Sequence, residues 1–490
     1  MTIAPRRAAP ALLALLALTG CPKQDAPPPS DVSGTYAGQV WWTDGTVAAP
    51  VAEPVPQGSS MTAFAVVVPS GSGYRVVDGA LGADAAFTVP DVPAGPAYVF
   101  STWETDYYLA PDRILRSFTY HLDEVADRTA PVELGGRALG RYHATGESVA
   151  LDLTGLDPWP AAEAGADDRI AFYAPDARVG EVVAPSPGEG AVEATVYVQR
   201  AGGSGSLYLD SARDVIHAWQ LHPMAGGACQ AAARTGHAAV PVGGGTVPVA
   251  LDAPPATATA AVDLRASEFW ALSPSATPWR LELRVLPDPL AAVDGPLSGV
   301  RAALLWCSTR ADDLDAGTPS FAVPDGAWGL EREVVATGDV QLDVDPMGPV
   351  FPGPWGGTLF YQREPASTPG PIRPLIGPPR DLRINGKPLD FTAHAGVGET
   401  PLLTWDPPAV GTPTSYLVRL DFGYFTARTV RPELRLPPGV LQLATDDPTG
   451  GQGNWVEVTA VYDADATPTA PYREGRTHAE ATALGSSFTR

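Results

Sequence analysis

Chain breakers constrain this sequence more than any motif in it. Glycine accounts for 51 and proline for 53 of the 490 residues, so a residue that interrupts regular structure arrives at about every fifth position, which favours short elements. Such a composition can also mean disorder. Against that, 44% of the chain is hydrophobic, and its valine, leucine and aromatic residues fall in runs of strand length between the turn residues. Met61–Val68 is one such run. Val149–Leu153, Ile170–Tyr173, Ala194–Val198, Leu207–Leu209, Val247–Leu251, Ala260–Leu264 and Leu281–Leu286 are others, several of them alternating with period two. The expected fold class is all-β, with tandem β-sandwich domains. The chain is too long for one compact core, so three or four such domains are expected.

The N-terminus has a different character. Arg6 and Arg7 precede an apolar stretch from Ala8 to Leu18, and the run closes on Leu18-Thr19-Gly20-Cys21. A charged start, an apolar core too short to cross a bilayer as a helix and small residues before a cut are the parts of an export signal. The run resembles the signal of bacterial lipoproteins, in which the cysteine thiol is acylated and becomes the new N-terminus. The resemblance implies that residues 1–20 are removed and that Cys21 carries lipid. It also implies a chain held on the cell envelope, at the outer membrane or cell surface rather than the inner membrane. An ordinary secretory leader with an unrelated cysteine is the alternative. Residues 21–31 are polar and proline-rich and read as an extended tether.

Two further stretches resemble known modules. Within residues 32–116, Asp84-Ala85-Ala86-Phe87-Thr88-Val89-Pro90-Asp91-Val92-Pro93-Ala94-Gly95-Pro96-Ala97-Tyr98-Val99 gives a Phe strand, a Val-Pro-x-Gly turn and a Tyr strand. This resembles the carboxypeptidase regulatory-like (prealbumin-like) family, a non-catalytic β-sandwich. Ala85 stands where that family usually has glycine. In residues 376–490, Leu402-Leu403-Thr404-Trp405-Asp406-Pro407-Pro408 is followed by Tyr416-Leu417-Val418-Arg419-Leu420 and Trp455-Val456-Glu457-Val458. This resembles a fibronectin type III domain, which implies that Trp405 fills the centre between two sheets. Trp455 replaces the usual corner tyrosine. Residues 117–375 resemble no family and are expected to form two sandwiches, with a seam in the proline-rich stretch Pro287–Pro296.

Charge and cysteine count narrow the partners. The formal charge of −23, more negative still once a leader takes Arg6 and Arg7 with it, makes nucleic acid and anionic lipid poor electrostatic partners. Beyond Cys21 only Cys229 and Cys307 remain. In an exported chain the pair is expected to form a disulfide, with two buried thiols as the alternative. Such a bridge would close a loop of roughly 80 residues and contribute about 4 kcal/mol in the chain-entropy account.

Catalytic signals are thin. Gly202-Gly203-Ser204-Gly205-Ser206 lacks the closing glycine of a nucleophile elbow and reads as a loop. His217, His222, Cys229 and His237 lie close in sequence, but their spacing matches no metal motif. Asp312, Asp313 and Asp315 before Gly317 lack the terminal acid of a calcium loop, and Asp343 and Asp345 suit a solvated strand face equally well. Trp41, Trp42, Trp103, Tyr107 and Tyr108 could stack on sugar rings, with core packing as the plain alternative. The expectation is therefore a non-catalytic envelope protein without cofactor, bound to the membrane by its lipid and open to protein or glycan partners. A hydrolase or glycan-active enzyme with its site in the middle region is the rival.

Overall fold

The computed structural model describes residues 34–46, 49–54, 61–71, 73–77, 81–82, 86–110, 113–124, 132–137, 149–159, 169–173, 182–183, 191–197, 215–224, 229–239, 245–252, 256–274, 276–287, 304–309, 320–324, 330–340, 355–389, 394–420, 425–438, 456–464 and 478–485. The protein is all-β. Ala266–Ala271 is the one helix among the described residues. At six residues it is too short to print a helical period on the sequence.

The organising element is a continuous sheet of sixteen strands. Eight come from the middle of the chain, in the spatial order Val182–Val183, Arg169–Tyr173, Val215–Pro223, Cys229–Ala239, Leu305–Thr309, Ala276–Pro287, Leu330–Val340 and Trp355–Pro365. Next to these lie four from the C-terminal region: Ala479–Leu484, Val456–Tyr462, Ser415–Leu420 and Phe425–Thr429. The last four are Arg113–Glu124, Tyr98–Ala110, Met61–Ser70 and Gly73–Val77. The C-terminal strands therefore sit in space between the first module and the middle region. Both edges of their sheet are taken. Phe360 pairs with Ala481 on one side, antiparallel, and Tyr120 pairs with Phe425 on the other, parallel. Arg113–Glu124 runs straight through the boundary expected between residues 116 and 117. The strand ending at Pro287 pairs directly with Leu305–Thr309 and Leu330–Val340, so the ladder also spans the proline-rich stretch read as a seam.

Packing explains the residue patterns. In Met61–Ser70, Phe64, Val66 and Val68 point into a core shared with Tyr36, Phe87, Val89, Val92 and Val99. Val67, on the other face, joins the large core with Tyr98 and Leu122. A strand buried on both faces reads as an unbroken apolar run, and the valine run is of that kind. In the C-terminal region a second sheet, Lys387–Pro388, Arg380–Ile384, Leu402–Asp406 and Glu433–Arg435, lies across the core from the large one. Trp405 is buried between the two, edge-on to Tyr416 with ring centres 5.2 Å apart.

The middle strands have two unlike faces, both buried. Leu281, Leu283, Val285, Val334, Ala336 and Phe360 pack with Phe269 and Trp270 of the helix. On the opposite face Arg284 is paired with Glu282 and, at 3.1 Å, with Glu333, all three shielded from solvent. Flanking an arginine with two carboxylates is what makes its burial tolerable, since either charge alone would be costly there.

Candidate functional site

The chemistry gathers on the hairpin formed by Val215–Pro223 and Cys229–Ala239. Successive strand residues point to opposite faces, so His217 and Trp219 share one face while Gln220 and His222 share the other. Arg234 is the register partner of Gln220, the last pair of the regular ladder before the pairing slips by one residue between Gln220 and Leu221. Such bulges re-aim side chains.

Asp157 reaches this second face from strand Val149–Trp159. That strand departs from regular geometry at Gly155, whose φ of +76° suits glycine and where a side chain would collide with the Leu251 carbonyl oxygen. Pairing with Ala191–Tyr197 also shifts register there. Beyond the irregularity, the Asp157 amide donates to Gln220 Oε1 at 2.8 Å and Gln220 Nε2 donates back to the Asp157 carbonyl at 3.2 Å. The Asp157 carboxylate accepts from Arg234 Nε at 2.8 Å and Nη2 at 2.5 Å through Oδ1, and meets His222 Nε2 at 3.1 Å through Oδ2. The Arg234 hydrogen bonds hold the Asp157 carboxyl below its usual range; burial opposes them and the bond to His222 adds to them. Chemically this is a carboxylate that orients an imidazole while a guanidinium neutralises it. It also ties the three-stranded sheet of Ala191–Tyr197, Val149–Trp159 and Gly245–Ala250 to the large one.

On the first face His217 and His237 are direct cross-strand partners. Their ring centres are 5.8 Å apart with a 31° tilt, and His217 lies nearly parallel to the buried Trp219 ring at 6.1 Å. Burial lowers the His217 pKa to about 4, with His237 acting in the same direction.

The histidine and cysteine cluster noted in the sequence therefore divides three ways. His217 meets His237, His222 goes to Asp157, and Cys229 stands opposite Cys307 with the two sulfurs bonded. Among the described residues no three His, Cys, Asp or Glu side chains gather as a metal-holding group. Cys21, Gly202–Ser206, Asp312, Asp313, Asp315, Asp343 and Asp345 lie outside the described residues. Trp41 and Trp42 are in strand Gly34–Thr46, and Trp103, Tyr107 and Tyr108 are in Tyr98–Ala110, with side chains outside the description. Asp157, Gln220 and Arg234 belong to no motif. Gly155 inside a strand pattern was the one sequence signal of a bulge or close approach at that place. No family model matches the chain, and no curated protein matches it in sequence.

Proposed function

We propose that the protein is a lipid-anchored, non-catalytic component of the cell envelope, presenting β-sandwich modules for structural, adhesive, or protein and glycan binding. The observation that carries this reading is the continuity of the sixteen-stranded sheet. The module nearest the Cys21 anchor is hydrogen-bonded into the C-terminal module, which is hydrogen-bonded into the middle region. An anchored body whose modules share one ladder can hold its binding surfaces at fixed orientations to one another beyond the tether. A bridge between Cys229 and Cys307 on neighbouring strands suits an exported chain. The C-terminal strand arrangement, with Arg380–Ile384, Leu402–Asp406 and Glu433–Arg435 facing four strands around Trp405, supports the fibronectin type III resemblance.

The test begins with the anchor. Cells making the chain and its Cys21→Ser variant are fed labelled fatty acid and fractionated. The parent should be labelled and sediment with membranes, and the variant should be neither; label retained by the variant overturns the anchor. Purified chain is then screened against glycans, envelope proteins and hydrolase substrates. Saturable binding without turnover fits the proposal, whereas turnover lost in His222→Gln would replace it with an enzyme using the Asp157–His222 pair.

A further inference from the structure

We propose that His217 and His237 form a two-imidazole site for a divalent late transition metal, with copper(II) the preferred ion. The two residues are directly opposed on antiparallel strands, the arrangement in which side chains approach most closely across a sheet. Two imidazoles sharing one ion, each nitrogen about 2.0–2.1 Å from it, have ring centres about 4.5–6.4 Å apart as the ligand angle opens from right to straight. The observed 5.8 Å falls inside that interval. Seating an ion calls for ring rotation, from the present 31° tilt, that aims one nitrogen of each imidazole at it. His237 is exposed and can rotate, because χ2 of histidine is a soft torsion. Half-buried His217 is steadied against Trp219, so one ligand is positioned and the other adjusts. With two protein ligands the remaining positions belong to water, and the site faces solvent on the His237 side. Imidazole donors suit copper, nickel and zinc, and affinity at a nitrogen site peaks at copper(II). The proposal is independent of the anchor.

The experiment titrates the full chain with copper(II) sulfate near pH 7.5, following heat and the electron paramagnetic resonance of the bound ion. His237→Gln alters an exposed side chain and spares the core; His217→Gln removes the second ligand. Expected are one equivalent bound, hyperfine structure from two imidazole nitrogens, and affinity at least about tenfold lower in either variant. Nickel(II) and zinc(II) should bind more weakly, and magnesium(II) should not compete. Unchanged affinity and spectrum in His237→Gln, with circular dichroism like the parent's, overturns the site; so does failure of the parent to bind one equivalent. If His217→Gln does not fold, His237→Gln decides alone.

Discussion

Removing the Glu124 carboxylate should uncouple the first module from the last. Glu124 is 3% exposed and accepts from Thr429 Oγ1 at 2.6 Å, the Val430 amide at 2.9 Å and Arg431 Nε at 3.0 Å. All three donors follow or end the strand that pairs with its own. In Glu124→Ala the Thr429 hydroxyl and the Val430 amide lose a charged acceptor, at about 1–3 kcal/mol each for a donor left unsatisfied. Arg431, with a quarter of its side chain exposed, can turn to water and adds little. The expected weakening is about 3–5 kcal/mol, and about 2 kcal/mol for Glu124→Gln, which keeps shape and one acceptor. A chain of several modules need not unfold in one step, so the readout should be local. Native-state amide exchange is the assay. Protection along Phe425–Thr429 and Arg113–Glu124 should fall by about two orders of magnitude or more in Glu124→Ala, at about 1.4 kcal/mol per tenfold. Amides of Ala276–Pro287 should keep theirs. Unaltered exchange at Phe425–Thr429, or an equal loss across the middle strands, would refute the assignment of Glu124 as the local clasp.

Three other perturbations test separate parts of the structure. Burial, with Arg428 adding to it, lowers the His121 pKa from 6.5 to about 4. The unfolded chain then takes a proton below pH 6.5 that the folded strand refuses until about pH 4, so stability is full above that window and falls through it by up to about 3 kcal/mol. Urea unfolding at pH 7.5 and 4.5 should show a smaller acid loss in His121→Gln than in the parent, and equal losses would disprove the burial argument. Reduction of Cys229–Cys307, which are 78 residues apart in sequence, should cost about 4 kcal/mol; two thiols alkylated without reductant in the denatured exported protein would show that the bridge does not form. Gly155→Ala should cost at least about 2 kcal/mol through its positive φ and the Leu251 carbonyl. Gly34→Ala, where an added carbon meets nothing, serves as the control; matching melting temperatures would refute the strain at Gly155.

The local elements were legible because their causes are local. The Met61–Val68 run, the turn residues around it and Trp405 between proline-rich turns each carry their reason within a few neighbours. The cysteine pair was legible from the two cysteines left beyond Cys21 taken together with the reading of the chain as exported. The Asp157 cluster was not, because Asp157, Gln220 and Arg234 converge through a glycine distortion and a one-residue slip, neither of which changes the period of the sequence. The order of the modules in space was hidden for a deeper reason. Phe425–Thr429 and Ala479–Leu484 contain no proline and one charged residue each, Arg428 and Glu480, so neither is built as a protected edge, and an unprotected edge must be covered or it will pair with another chain. The sequence thus contains the need for a partner strand on both sides, but the hydrogen bonds that meet it use backbone groups that every residue carries. What selects Arg113–Glu124 on one side is the Glu124 clasp, and its three donors lie more than 300 residues further along the chain. A strand edge states that it must be filled; which strand fills it is decided by side chains that only the fold brings together.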